Sequence, residues 1–191
     1  MIDSLCAEMP KAEQSVILDE LGLNGSPYAY PTLHRPSNVD DPETLRRLMA
    51  IVDELSQEMP FIFAVHPRTQ TRLRDAGVRP FPPQRVRMVG PLSYHDSLKL
   101  IRHAKVVLTD SGGIQEETTF LNVPCLTLRS NTERPVTVEV GTSQLVGNEP
   151  DAIRKGWQRA INGIREADVR IPLWDGHSAQ RVCDCIRAEW G

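Results

Sequence analysis

The sequence lacks any run of about 18 apolar residues, so no segment of it reads as a membrane-spanning helix. It also lacks a surplus of basic charge. Its 22 Lys and Arg stand against 25 Asp and Glu, a formal net charge of −3, which argues against a surface field that gathers nucleic acid or anionic lipid. Any phosphate this chain binds must be held by local groups. Cysteine is sparse: Cys6, Cys125, Cys183 and Cys185 show no CxxC spacing and no adjacent histidine pair. That argues against a zinc site or a disulfide framework and leaves reduced thiols, with Cys125 read as core. The opening residues MIDSLCAEMPKAEQ have neither the basic flank nor the apolar block of a secretion signal, and the expectation is a cytoplasmic protein. Aromatics make up 5% of the chain. Trp157, Trp174 and Trp190 lie on or beside the terminal helical stretches, where apolar packing is expected rather than base stacking.

What the chain does have is 191 residues, 40% of them hydrophobic, enough for one ample core and read here as a single domain over residues 1–191. Short apolar runs alternate with amphipathic helical windows, the pattern of an α/β fold with a mostly parallel sheet. The expected strands are Tyr28–Thr32, Phe61–Val65, Val86–Val89, Val106–Thr109, Cys125–Leu128 and Gln144–Val146. The clearest helix is Pro42–Glu58, with a stripe of Leu45, Leu48, Met49, Val52 and Leu55, a capping Asp41, and Pro42 at the first helical position. Ser93–His103 opens on a Ser93–Asp96 capping pattern, and Ile114–Leu121, Asp151–Ile161 and Ser178–Trp190 complete the set. The first helical stretch, read as interrupted by Pro10, and the last flank the alternating block without strands of their own. They are expected to cover the sheet or to lie against something outside this chain. Met1 enters a helical pattern with no capping residue before it, as expected of a truncated chain or an independently encoded half.

The stretch KVVLTDSGGIQEET, residues 105–118, places a hydroxyl and two glycines directly after a buried strand. In open parallel sheets ligands sit at the carboxyl ends of strands, where helix N-termini present free N–H groups and a favourable dipole to an anion. Gly112 and Gly113 let backbone approach a ligand, and Ser111 adds a hydroxyl. Glu116 or Glu117 aimed at a phosphate would repel it, so one should point elsewhere; a carboxylate has acceptor sites suited to two neighbouring hydroxyls, which makes a ribose diol one step from the phosphate a consistent partner for Glu117. A plain tight turn with acids at a helix N-terminus fits the same residues. Ser111 as a hydrolase nucleophile fails, because Thr109 stands where the elbow needs glycine.

Other cations gather at the same kind of place. His34 and Arg35 follow the first strand, His66 and Arg68 follow the second, and Arg134 lies in NTERP. Each alone fits a loop histidine or a solvated charge. Together, after separate strands, they put cations at one edge of a mildly acidic protein. His95, His103 and His177 lack such placement and read as surface or capping residues.

DSGGIQEE at Asp110–Glu117, TERP at Thr132–Pro135, VGT at Val140–Thr142 and HRPSNVDD at His34–Asp41, with MIDSL and PLSY at Pro91–Tyr94, resemble the non-hydrolysing UDP-N-acetylglucosamine 2-epimerases. The resemblance runs in order over almost the whole chain and covers the C-terminal, nucleotide-binding half of that family. It implies a Rossmann-like doubly wound domain, one of the two in a glycosyltransferase-B arrangement. The peripheral stretches 1–22 and 178–191 would then face an N-terminal domain. The implied reaction is epimerisation at C2 of the sugar by elimination and re-addition of UDP, with no metal and no cofactor. Its implied ligand is UDP or a UDP-sugar, and its implied partners are a separate first-half chain or a second copy. Carried over, Ser111, Gly112 and Gly113 hold the diphosphate, Glu117 the ribose hydroxyls, Arg134 the phosphate region and backbone near Leu92 the uracil. His34 approaches the departing diphosphate as the catalytic group on this half. Arg35 and His66 would touch an activating second substrate molecule. Two departures weaken parts of this: Ser37 stands where the family often has an acid beside that activating site, and Ser97 where an aromatic often packs by the uracil. The carboxylates that handle the C2 proton belong to the other half, so this chain alone is expected to bind UDP without epimerising. The competing expectations are a free-standing nucleotide-sugar binding module and the C-terminal domain of a glycosyltransferase of the same architecture.

Overall fold

The structure, a computed structural model, describes residues 1–163 and 170–190. Among them six strands form one sheet: β1 (Ala29–Thr32), β2 (Phe61–Ala64), β3 (Val86–Val89), β4 (Val106–Thr109), β5 (Cys125–Thr127) and β6 (Ser143–Leu145). These are the six expected strands, each displaced by no more than one residue at either end. The order is β3-β2-β1-β4-β5-β6 and every pairing is parallel. The helices are α1 (Ile2–Glu13), α2 (Ile17–Glu20), α3 (Pro36–Val39), α4 (Pro42–Leu55), α5 (Pro67–Asp75), α6 (Tyr94–His103), α7 (Gly112–Phe120), α8 (Val136–Glu139), α9 (Pro150–Asn162) and α10 (Ser178–Trp190).

Successive strand residues point to opposite faces, and a parallel sheet must bury both. Ala29, Phe61, Phe63, Val106 and Leu108 turn to one side, where they meet the stripes of α4 and α9. Tyr28, Tyr30, Ile62 and Val107 turn to the other, against Leu100 and Ile101 of α6 and Ile17 of α2. Trp157 of α9 is fully buried, edge-on to Phe61 at 5.4 Å between ring centres. Cys125 is core, as read. α4 begins as its sequence dictates, with the Asp41 carboxylate accepting from the Thr44 N–H at 2.8 Å and Pro42 in the first turn. The Ser93 hydroxyl caps α6 by accepting from the Asp96 N–H at 3.1 Å.

Three features differ from the sequence reading. α1 runs through Pro10 rather than breaking there; the proline sits on the exposed side in the last turn, and Leu5 and Ala12 anchor the helix against Leu98 of α6. α5 is a helix the periodicity does not announce, since it buries Thr69 and Leu73 alone; its signals are Pro67 in the first turn and the His66 cap. Trp190, expected to pack, is 87% exposed, because α10 buries none of its residues.

Helix α9 approaches β5 at Gly156. A Cβ there would stand 2.7 Å from Val146 Cγ1 and 3.1 Å from Leu126 Cδ2, both in the buried core. Val146 is β-branched and cannot swing aside cheaply. Exchanging a helical glycine for alanine ordinarily gains about 0.5–1 kcal/mol. Here overpacking costs about 1–3 kcal/mol and wins. Gly156→Ala is therefore expected to lower stability in urea unfolding, while Lys155→Ala, on the exposed side of the same helix, leaves the midpoint nearly unchanged.

Candidate functional site

β1 and β4 are neighbours at the centre of the sheet, paired from Ala29 with Val106 through Thr32 with Thr109. From β1 the chain winds outward through β2 and β3, and from β4 through β5 and β6 in the opposite direction. The topological switch point therefore lies between β1 and β4, the place where such sheets hold ligands outside the carboxyl ends of their strands. His34 leaves β1 and Ser111 leaves β4 at that point. A 2.9 Å bond between the Thr32 and Thr109 hydroxyls joins the two strand ends, and the Thr109 hydroxyl accepts from the Ser111 N–H at 3.0 Å.

Beneath these groups lies Asp110, fully buried. A buried carboxylate persists only if donors surround it, and here they do. The backbone N–H groups of His34 and Arg35 donate to it at 3.1 and 2.9 Å, and Asn38 Nδ2 donates at 3.1 Å. His34 Nδ1 adds an ion pair at 2.9 Å. Burial pushes the Asp110 carboxyl up, and these bonds outweigh it, leaving it below the usual carboxylate range. The same bond raises the His34 imidazole above its ordinary value, against burial. The bond to Asp110 favours the protonated imidazole, and with Nδ1 spent on Asp110 its Nε2 is the nitrogen left for another partner. The sequence reading named neither Asp110 nor Asn38 as functional. The signal was present: an acid directly after the all-buried VVLT cannot stay charged without partners from a neighbouring strand end.

α7 begins two residues earlier than its apolar pattern suggests, because Ser111 rather than Gly113 is the cap. The glycines occupy the first turn, and the Ser111 hydroxyl accepts weakly from the Ile114 N–H at 3.5 Å. The turn's N–H groups point out of the sheet edge. A Cβ on Gly113 would come within 3.1 Å of Met1 Cε, the far end of a flexible, exposed side chain that can give way.

The two glutamates separate, as their repulsion demands. Glu116 turns to Arg134, 3.0 Å from its Nε though without hydrogen-bond alignment. Glu117 goes inward, 5% exposed, and accepts from the Tyr94 hydroxyl at 3.1 Å. Burial raises its carboxyl to about 7; the Tyr94 bond lowers it and Glu116 raises it further. A folded-state value above the ordinary 4.5 means that the native state holds this proton more tightly. The group therefore takes stability away as pH rises from about 4.5 to about 7. Arg134 belongs to a loop fixed to α7 by Thr132, whose hydroxyl donates to the buried Gln115 Oε1 at 2.6 Å. In that loop Glu133 takes both arms of Arg129 at 2.7 Å and lies 3.9 Å from Arg35.

A cleft of about 280 Å³ opens at the switch point, and His34, His66, Leu92, Ser97 and Ser111 line it together. Ser97 is tied to the buried Tyr30 hydroxyl at 3.1 Å. Arg35 turns the other way, into a polar hollow of about 340 Å³ with Arg129 and Asn131. His66 caps α5, its Nδ1 accepting from the Arg68 N–H, and Arg68 itself pairs with Asp40. The structure thus brings His34, His66, Ser111 and Leu92 into one cleft, with Gly112 and Gly113 in the adjoining helical turn. It holds Glu117 behind Tyr94 and leaves Arg35 and Arg134 on acids nearby. A wider hollow, about 470 Å³ beside Phe120 and Trp174 at the far end of α7, contains none of these groups. Among the described residues no three His, Cys, Asp or Glu side chains gather as metal ligands, and no helix is long and apolar enough to cross a membrane.

Comparison with known proteins agrees with this geometry. The family model described as UDP-N-acetylglucosamine 2-epimerase matches residues 1–187. The UDP-N-acetylglucosamine 2-epimerase of Methanocaldococcus jannaschii is 36% identical over 172 residues, which are 88% of this chain and 45% of the relative. A crystal structure of the enzyme from that organism, in complex with UDP-GlcNAc and UDP, superposes with a TM-score of 0.81 at 31% identity over 96% of this chain and 52% of that one. The UDP-2,3-diacetamido-2,3-dideoxy-D-glucuronate 2-epimerase of Pseudomonas aeruginosa is 35% identical over 156 residues, 81% of this chain and 43% of its own. The chain spans about half the length of the relatives it matches. With a parallel sheet wound both ways from a DSGG-bearing switch point and a match along nearly its full length, this chain belongs to the UDP-N-acetylglucosamine 2-epimerase family.

Proposed function

We propose that this chain is the UDP-binding half of an epimerase that interconverts UDP-N-acetylglucosamine and UDP-N-acetylmannosamine. The observation that carries the reading is the meeting, at one switch point, of the Ser111-capped helix N-terminus and the His34 imidazole, whose protonated form Asp110 favours. Both favour an anion at the same spot. A diphosphate there would take the N–H groups of Gly112 and Gly113 and the Ser111 hydroxyl. The uracil would lie by Leu92 in the cleft, and the ribose diol would meet Glu117. In the proposed reaction the C2 proton is removed, the bond from C1 to the diphosphate oxygen breaks to give a glycal and UDP, and the diphosphate oxygen then re-adds at C1 while a proton is delivered to the opposite face of C2, which is thereby inverted. Negative charge grows on the departing diphosphate, where the His34 cation is most useful. Arg134 reaches a phosphate only by exchanging Glu116 for it.

Taking the C2 proton needs a base within hydrogen-bond reach of the sugar. In this reading that base lies in an N-terminal half, and the peripheral stretches 1–22 and 178–191 are the surfaces offered to it. In support, α10 exposes Val182, Ile186 and Trp190 at helical spacing along one stripe. α1 already spends its inner side on α6 and α7, through Leu5, Ala12 and Met9. The protein is read as cytoplasmic, working without metal or cofactor.

Calorimetric titration with UDP tests the site. The chain is expected to bind, and Ser111→Ala, which removes one phosphate donor and the α7 cap, is expected to weaken binding roughly tenfold. An unchanged constant would reduce DSGG to a turn. Incubated with UDP-N-acetylglucosamine in deuterium oxide, the chain alone is expected to show no deuterium at C2; full turnover would refute the assignment of the base to the other half. Glu117 predicts a proton linkage. A diol donates to the charged carboxylate, so binding expels the proton wherever the free group holds it, and affinity climbs with pH up to about 7. UDP titrates near about 6 as well. The comparison is therefore with Glu117→Gln, whose affinity should rise less steeply below pH 7 and run parallel to wild type above it.

A further inference from the structure

Tyr94 stands in the first turn of α6, 41% exposed, with its hydroxyl 3.1 Å from Glu117 Oε1. A tyrosine so open to solvent owes its place to something other than core packing. The turn that carries it is fastened to α1 and to Ser15 just beyond it through the residues that follow Tyr94. His95 Nε2 meets Glu8 Oε2 at 2.6 Å, and Asp96 accepts from the Ser15 hydroxyl while its own N–H donates to Ser93. One turn further on, Lys99 donates to the Glu13 carboxylate at 2.8 Å, and Arg102 pairs with the same acid. The backbone under Tyr94 is therefore pinned, and the phenol is a fixed donor rather than a drifting one.

Its acceptor needs such a donor. Glu117 is almost wholly buried between α6 and α7, and Tyr94 is the side chain it bonds. A carboxylate that must receive two ribose hydroxyls has to present its free acceptor sites in one direction. A donor on Oε1 leaves Oε2 for the ligand's hydroxyls and takes the side chain's rotation away as a cost of binding.

We propose that Tyr94 is the positioning residue of the ribose seat: mounted on the α1-clamped first turn of α6, its hydroxyl holds Glu117 in the orientation that receives the ribose diol. The proposal rests on the reading that a UDP ribose meets Glu117. It predicts that Tyr94 matters to the ligand through the diol and not through the base or the phosphates.

The test is a ligand cycle by calorimetry on this chain, with UDP and 2′,3′-dideoxyuridine 5′-diphosphate as probes, on wild type, Tyr94→Phe, Glu117→Gln and the double variant. Wild type should prefer UDP. Tyr94→Phe should lose roughly tenfold in affinity for UDP, the size of one hydrogen bond to a charged group, and little for the dideoxy ligand. In the Glu117→Gln background the tyrosine change should cost almost nothing more. A Tyr94→Phe chain that discriminates between the two ligands as well as wild type overturns the proposal, as does an equal loss for both, which would mark a merely structural tyrosine. A wild type that binds UDP and the dideoxy ligand equally overturns the ribose seat itself, and a wild type that binds neither overturns the nucleotide reading. Far-ultraviolet dichroism and the melting curve of Tyr94→Phe, which keeps the ring, show that the variant is folded.

Discussion

The edge of this sheet is organised by one buried carboxylate. Asp110 directly follows β4, and its charge can be tolerated there only because the stretch after β1 turns several donors toward it. Two backbone N–H groups come from the His34–Arg35 step after β1, and an amide comes from Asn38 in the short helix α3 that follows. The other hydrogen of that amide reaches the Leu128 carbonyl just past β5 at 2.9 Å. Asp110 thereby fixes the mutual position of three strand ends. It also fixes one functional group, since the His34 ring is held through its Nδ1 at 2.9 Å from the Asp110 carboxylate. The linkage runs in both directions. The depressed Asp110 adds stability above its ordinary value of 3.8 and loses it as pH falls, whereas the elevated His34 adds stability below its ordinary 6.5 and loses it as pH rises through its folded value. The pair contributes fully between those two limits.

Against that anchor, the charges at the site are balanced among themselves. Arg134 faces Glu116, Arg129 is gripped by Glu133, and Arg35 donates from Nε to the Asp110 carbonyl while lying near Glu133. The donors without such an acid are the α7 N-terminal N–H groups and the outward nitrogen of His34. An incoming diphosphate would meet those first and could recruit the arginines only by displacing carboxylates. Exchange of one anion for another costs less than exposing a lone cation, and it would suit the proposed reaction, in which the anion leaves and returns. Glu133 is held at about 2 by Arg129, so it stays charged throughout the neutral range.

The sequence made the sheet legible because parallel strands buried on both faces read as unbroken apolar runs, and VVLT and FIFA could hardly be anything else. It made α4 legible through its cap, its proline and its stripe. What it hid follows from the same physics. α5 and α7 are defined by caps more than by apolar period, so α5 was invisible and α7 seemed to start after its glycines. Strand order is a matter of tertiary packing, and without it the proximity of His34 to Asp110, 76 residues apart, has no local signature. The cations after separate strands suggested one basic edge, but the cleft took His34 and His66 while Arg35 turned into the neighbouring hollow. Resemblance pointed to Glu117; its burial and its tyrosine partner are facts of helix packing that no spacing encodes.

α1 is the part of the fold whose purpose changes most when these observations are combined. Its apolar side, with Leu5 and Ala12, makes it a covering helix. Its polar side reaches α6 through Glu8 and Glu13, and Ser15 just beyond its end does the same. Several of those bonds are exposed, and exposed pairs stabilise little. Their spacing along α6 matters more than their strength, because together they leave its first turn a single position relative to α7. That turn carries Ser93 and Tyr94, and the segment just before it carries Leu92 of the cleft. The base side and the ribose side of the proposed nucleotide site are therefore both set by one helical turn, and that turn is set by α1. The phosphate side is set independently by Asp110 and the α7 cap. Two rigid mounts at fixed separation hold a leaving group well. In the proposed reading they also leave the face of the sheet edge above His34 to the sugar, whose proton would be handled from outside this domain.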